Sequence, residues 1–251
     1  MNQDYWNRLA RIFDEEVFDP VASDRQGIIL ETLSGLSTKT KEAVDIGCGT
    51  GRNIPLLARK FRSVIGIDIS NKCLEIAERS HGSLGNVKFR QLDLAKDLPG
   101  HLRADVGLCL NVVMMPSYET RRRVLNNILS LVRPGGHLLL LVPSLESALL
   151  TINRLIRWNL DEYASYRQAA AAANEELGFS TPSIRDGLIY KGGTLTKHYL
   201  REELLLNFEE LGQEVLNIHK VEYNWDTEFD SPPSSMSAPY PWDWLVHIKL
   251  R

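Results

Sequence analysis

Residues 45–51, Asp-Ile-Gly-Cys-Gly-Thr-Gly, set one acid and three glycines at alternate positions, directly after the apolar run Ala43-Val44. A glycine-rich turn that follows a strand lets backbone approach a nucleotide-containing ligand closely. A dinucleotide turn requires G-x-G-x-x-G. Its third glycine is Arg52 when counted from Gly47 and Ile54 when counted from Gly49, so the fit fails. The pattern present is D-x-G-x-G-x-G. An acid in that position repels a pyrophosphate, but it suits an ammonium group or, through water, a sulfonium-bearing amino acid. A second acid, Asp68, stands 21 residues beyond Gly47, where a carboxylate at the end of the next strand reaches a ribose diol.

The elements that would position these residues alternate. EAVDIG (42–47) reads as a buried strand, and Ile54, Leu57, Ala58 and Phe61 then recur at helical spacing, with Pro55 in the first turn. SVIGIDIS (63–70) is a second strand, CLEIAERS a helix, NVKFRQLDL (86–94) an imperfect strand and ADVGLCLNVVMM (104–115) a buried one. Val124, Leu125, Ile128, Leu131 and Val132 form the face of a helix stopped at Pro134-Gly135-Gly136, and GHLLLLVP (136–143) is a fifth strand. Repeated strand–helix units predict a doubly wound α/β, Rossmann-like parallel sheet with helices on both faces. From 144 to 197 the rhythm breaks into two helical segments and a hairpin around Gly192-Gly193. That insertion is long enough to expect a function. A helix over 201–211 and strands over 214–223 and 242–250 complete the chain.

These segments together resemble the class I S-adenosylmethionine-dependent methyltransferases of the small-molecule type. VDIGCGTG matches their glycine motif and VIGIDIS their ribose-binding acid. RQLDLAKDLP resembles the adenine-reading segment, LCLNVVMM the edge of the fourth strand, and LVRPGGHLLLLVP the following helix–turn–strand. The resemblance covers about residues 40–143 and implies a seven-stranded sheet, order 3-2-1-4-5-7-6, whose last strand, WDWLVHIKL, is antiparallel. It implies S-adenosylmethionine as cofactor and S-adenosylhomocysteine as product. Asp45 is expected to face the amino group and Gly47, Cys48, Gly49 and Gly51 the methionine half. Asp68 and Ile69 are expected at the ribose, Asp93 and Leu94 at the adenine, and Asn111 and Val112 beneath the sulfonium. One domain spans 1–251: N-terminal helices (1–36), cofactor half (37–143), a helical lid or substrate insertion (144–197), and a C-terminal helix with a strand pair (198–251).

Methyl transfer from a sulfonium is an in-line displacement, so alignment supplies most of the acceleration and a base is needed only for a protonated nucleophile. No catalytic motif stands out. Asn111-Val112-Val113-Met114 replaces the [D/N]-P-P-Y signature of exocyclic-amine methylation of nucleic acids. Tyr5 and Trp6, on an apolar N-terminal helix with Leu9, Ala10, Phe13 and Val17, are expected to close over the cofactor. Trp158, Tyr163 and Tyr166 are candidate acceptor contacts, and His198 is the candidate base. Arg154, Arg157, Arg167 and Arg185 raise the alternative of an anionic acceptor.

Composition narrows the partners. Lys plus Arg count 29 against 32 Asp plus Glu, a net charge of −3, which speaks against a nucleic-acid or anionic-membrane surface. Three scattered cysteines, Cys48, Cys73 and Cys109, suggest reduced thiols, and no metal-ligand spacing occurs. The first residues do not read as a signal peptide and no apolar stretch reaches the ~18 residues of a membrane span. The expectation is a cytoplasmic, metal-free methyltransferase acting at O, N or C of a small organic molecule, its oligomeric state unspecified. The alternatives are a protein or RNA methyltransferase, and a catalytically inactive S-adenosylmethionine-binding regulatory protein.

Overall fold

The computed structural model describes residues 2–191 and 193–251. Among the described residues ten strands are present: β1 (Glu42–Ile46), β2 (Ser63–Asp68), β3 (Val87–Gln91), β4 (Ala104–Leu110), β5 (Val132–Pro143), β6 (Ser180–Ser183), β7 (Leu188–Lys191), β8 (Thr194–Lys197), β9 (Glu214–Glu222) and β10 (Trp242–Lys249). Seven of them form one sheet in the order β3-β2-β1-β4-β5-β10-β9. β1 to β5 pair in parallel, while β10 runs antiparallel to both β5 and β9. This is the order and polarity that the family resemblance implies. The site-bearing ends of β1, β2 and β4 therefore lie side by side, where the strand order reverses between β1 and β4.

The run Leu138-Leu139-Leu140-Leu141-Val142 shows why the sheet is a central layer. Alternate residues leave β5 on opposite faces. Leu138, Leu140 and Val142 join the core beneath the helices Tyr118–Ser130 and Arg201–Glu210, while Leu139 and Leu141 join the core beneath Ile28–Leu36 and Ile54–Lys60. A strand buried on both faces needs no polar alternation. β5 begins at Val132, before the Pro-Gly-Gly segment rather than after it. Gly135 and Gly136 are held there by backbone hydrogen bonds with Leu250 of 2.8 and 3.0 Å.

The insertion contains more than helices. Leu145–Asn159 and Tyr166–Glu176 pack together over a small core of Ile152, Leu155, Ile156, Ala169, Ala173, Trp225 and Phe229. β6, β7 and β8 add a three-stranded antiparallel sheet. The β7–β8 hairpin was expected; β6 was not, because Ser-Thr-Pro-Ser carries no apolar pattern. Gly193 has φ +80°, and Gly192 lies outside the described residues. Among the described residues no helix is long and apolar enough to cross a membrane, the three cysteines are free and buried, and no cluster of metal-ligating side chains occurs.

On the sheet, His137 Nδ1 of β5 and His247 Nε2 of β10 are 3.0 Å apart. Burial, with His137 and His219 nearby, pushes the His247 imidazole down to about 4. Its neutral form is the one that fits, so its contribution is complete above the unfolded value near 6.5. That contribution is lost as pH falls from there towards 4. The pair is half-buried, which limits the effect to roughly 1–2 kcal/mol after solvent screening. Thermal midpoints of wild type and His247→Gln, compared between pH 7 and 4.5, are expected to converge as pH falls. Parallel curves contradict this assignment.

Candidate functional site

The glycine turn is built against the end of β2. Gly47 N and Cys48 N both donate to Ile67 O, at 2.8 and 2.9 Å, and Gly49 N donates to Asp68 Oδ2 at 2.9 Å. Gly47, Gly49 and Gly51 all have positive φ, +74°, +54° and +90°. The first two also leave no room for a side chain. A Cβ on Gly47 would lie 2.4 Å from Val112 Cγ2, and one on Gly49 would lie 2.4 Å from Phe13 Cζ. Val112 reaches Gly47 because Asn111, at the end of β4, turns the chain with φ +54°, a conformation that asparagine tolerates better than most residues. The Cys48 side chain points away, with its Sγ against Gly66 in the core, and burial pushes the thiol well up. Only the backbone of Cys48 is suited to meet a ligand.

Two carboxylates face this turn. Asp45 is 2% exposed and its Oδ2 has no hydrogen-bond partner. Burial first, and the Asp68 charge second, push it up to about 7. Such an oxygen is costly unless a cationic donor meets it, so the residue present fits a ligand ammonium group. Asp68 is also pushed up by burial, against the pull of backbone N–H groups. Its Oδ1 accepts from Ser70 N at 2.7 Å and its Oδ2 from Gly49 N. Each oxygen keeps a further lone pair for a hydroxyl, and Ile69 follows it in the same loop. Asp93 sits farther along in a local turn, where its Oδ1 accepts from Ala95 N at 3.0 Å and its Oδ2 pairs with Lys96 Nζ at 2.9 Å. Leu94 beside it is buried, and its carbonyl accepts from Asn127 Nδ2 at 2.8 Å.

The N-terminal segment covers the turn through Phe13. Tyr5 and Trp6 pack edge to face at 5.1 Å on the helix Gln3–Leu9, which lies along the helix Asn71–His81. A 3-10 turn at Ala10–Ile12 then brings Phe13 onto Gly49. Tyr5 and Trp6 stand about two turns back along the chain, with the Trp6 ring packed on Phe13 at 6.3 Å between centroids. Arg52, whose presence denied the dinucleotide motif, holds the segment down. It donates to Asp14 Oδ1 at 2.7 Å, Val17 O at 2.7 Å and Phe13 O at 2.9 Å. Arg52→Ala removes all three bonds. Allowing ~1.5–3 kcal/mol for a charge-assisted bond, discounted for partial exposure, it is expected to cost about 1–3 kcal/mol of segment docking. Amide exchange over residues 10–17 is expected to quicken correspondingly, and unchanged exchange rules out the latch.

A second feature opens beside β5 and β10. A cavity of about 70 Å³ is walled by Ser144, Ser147, Thr151, Phe179, His198, Tyr223, Trp242 and Asp243, among others. At ~10–15 Å³ per water it admits a small group. His198, the candidate base, is among these walls, its Nε2 3.1 Å from Thr196 Oγ1 and its Nδ1 3.4 Å from Ser144 O. The other acceptor candidates stand elsewhere. Trp158 packs on Phe229 at 6.0 Å in the core of the insertion, and Tyr163 and Tyr166 are 41% and 60% exposed. Arg154, Arg157, Arg167 and Arg185 are also not among its walls. Tyr223 and Asp243 are the functional candidates that the sequence reading did not single out. Tyr223 Oη and Asn111 Nδ2 donate to Asp243 Oδ2 at 3.0 and 3.3 Å. Burial pushes Asp243 up to about 7. Its only signal was an acid between two tryptophans, Trp242 and Trp244.

A doubly wound sheet with one antiparallel strand, a D-x-G-x-G-x-G turn, and an acid at or next to the end of each of the first two strands are the arrangement of class I, S-adenosylmethionine-dependent methyltransferases. The methyltransferase-domain family matches residues 43–136. A ribosomal protein L11 methyltransferase from Haemophilus ducreyi is 35% identical over 112 residues, covering 44% of this chain and 36% of that protein. A ubiquinone biosynthesis O-methyltransferase from Coxiella burnetii is 25% identical over 138 residues, 54% of this chain and 55% of that protein. The chain thus spans little more than a third of the length of the first of these relatives. A solved S-adenosylmethionine-dependent methyltransferase from Anabaena variabilis shares the fold with a TM-score of 0.62 at 17% identity, covering 99% of this chain and 93% of that one.

Proposed function

We propose that the protein is an S-adenosylmethionine-dependent methyltransferase that transfers the methyl group to O, N or C of a small organic molecule in the cytoplasm. The observation that carries this reading is the unpartnered, buried Oδ2 of Asp45 beside a turn whose three glycines all have positive φ. In the proposed complex Asp45 meets the cofactor's amino group, Asp68 accepts from its ribose hydroxyls, Asp93 and Leu94 border its adenine, and Asn111 and Val112 lie beneath its sulfonium. The cofactor, when bound, supplies an activated methyl group. The chain's own contribution is to orient acceptor and donor and to exclude water beneath Phe13 and the 144–197 insertion, which acts as a lid.

The small cavity supports a small acceptor group over a nucleic-acid base. The likeness to a ribosomal protein methyltransferase makes a protein acceptor the competing reading. Calorimetric titration with S-adenosylhomocysteine and with NAD⁺, followed by transfer of labelled methyl to metabolite, protein and RNA fractions, tests both. Micromolar binding of the homocysteine adduct alone, with label in the metabolite fraction, is expected. A preference for NAD⁺ overturns the cofactor, and label confined to protein or RNA overturns the acceptor.

A further inference from the structure

Asp243 is a buried acid to which no cationic side chain donates among the described residues. It is the second residue of β10, beside the end of β5, where Asp243 pairs with Pro143. Both side-chain donors it receives, Tyr223 Oη and Asn111 Nδ2, converge on Oδ2 and are neutral. The remaining favourable contact comes from the Ser144 backbone, also neutral. No side chain among the described residues donates to Oδ1. A carboxylate removed from water is stabilised fully only when a cation completes it, and Asp45 shows the same deficit on the other side of Asn111.

The surroundings select the cation. Asp243 forms part of the wall of the 70 Å³ cavity, and no lysine or arginine is among the described residues lining it. Glu228, His198 and Tyr223 are the other titratable groups there. A carboxylate or phosphate acceptor would meet Asp243 with no compensating lysine or arginine among those described lining residues. Hydroxyls of Ser144, Ser147 and Thr151 and the aromatic walls of Phe179 and Trp242 accommodate the stem of a small amine. Asn111 ties this acid directly to the residue placed beneath the sulfonium, so the cavity and the methyl donor share one hydrogen-bonded partner.

We propose that Asp243 is the acceptor-binding acid of the site, pairing with the ammonium group of an amine acceptor and taking its proton before transfer. The proposal rests on the methyltransferase reading above. In the step, the ammonium N–H bond breaks and its proton passes to a carboxylate oxygen of Asp243. The freed nitrogen lone pair forms the N–CH₃ bond, and the electron pair of the breaking C–S bond stays on sulfur. The products are a methylated ammonium, a thioether and neutral Asp243, which returns its proton to solvent when the product leaves. The raised proton affinity that burial gives Asp243 narrows the gap to an amine, which favours that first transfer. His198 is less suited, because Ser144 O and Thr196 Oγ1 already occupy its two ring nitrogens.

The test uses the full chain saturated with S-adenosylhomocysteine and saturation-transfer NMR with three probes of equal carbon number: propylamine, propan-1-ol and propionate. Propylamine is expected to bind at least tenfold more tightly than the other two. Asp243→Asn is expected to weaken it at least tenfold while S-adenosylhomocysteine affinity stays within about threefold. Tyr223→Phe, which keeps the carboxylate, is expected to preserve the preference for the amine. Equal binding of the three probes, or full amine affinity in Asp243→Asn, overturns the assignment. Failure of the wild type to bind S-adenosylhomocysteine overturns the cofactor reading and the transfer step with it. Normal cofactor binding without amine preference overturns the amine assignment alone.

Discussion

Replacing Asp68 by alanine is expected to weaken S-adenosylhomocysteine binding ten- to a hundredfold, the equivalent of one charge-assisted hydrogen bond of ~1.5–3 kcal/mol. The structure adds a reason for expecting the upper end. Asp68 accepts from Gly49 N and Ser70 N at 2.9 and 2.7 Å, so it shapes the glycine turn as well as presenting lone pairs to a ligand. Removing it leaves the Gly49 and Ser70 donors without that partner and loosens the turn proposed to hold the methionine half. Asp68→Asn separates the two roles. An amide oxygen retains one acceptor for the turn but loses the charge, so its affinity is expected to fall between those of wild type and Asp68→Ala. Calorimetric titration, with thermal midpoints recorded in parallel, gives the answer. A wild-type dissociation constant in Asp68→Ala contradicts the placement of the ribose.

The cofactor half was legible because its determinants are local. Asp45, Gly47, Gly49 and Gly51 lie within seven residues, and the strand–helix alternation fixes what they face. Asp68 was legible for the same reason, one strand–helix unit on. Phe13 was visible in the apolar N-terminal stripe, but its contact was not. A 3-10 turn at Ala10–Ile12 changes the helical phase, and periodicity carries no trace of that change. The acceptor side was hidden more deeply. Ser144, His198, Tyr223 and Asp243 come together only because β10 inserts between β5 and β9, bringing residues about a hundred positions apart within hydrogen-bond reach. The aromatic candidates Trp158, Tyr163 and Tyr166 were chosen by type. In the folded chain, Trp158 serves the core of the insertion and the two tyrosines face outward. Arg52 shows the reverse case. Read at first only as a missing glycine, it has a role of its own, holding the N-terminal segment over the turn.

That arrangement makes Gly49 sensitive to a single methyl group. Gly49→Ala forces a left-handed residue, φ +54°, to carry a Cβ, at roughly 1–2 kcal/mol. The new carbon would lie 2.4 Å from Phe13 Cζ, so the ring must leave its place. If the whole segment moves with the ring, the Arg52 bonds to Phe13 O, Asp14 and Val17 O must stretch or break. The backbone strain and the displaced segment therefore act together, and S-adenosylhomocysteine affinity is expected to fall more than a hundredfold. A double-mutant cycle distinguishes the two contributions. Phe13→Ala in the Gly49→Ala background removes the clash and is expected to restore part of the stability, while the backbone strain remains. The coupling between the two substitutions is expected to be favourable and to exceed ~1 kcal/mol, as for side chains in direct contact. Additive effects on stability would mean that Phe13 does not rest on the turn, and the account of how the N-terminal segment closes the site would fall with it.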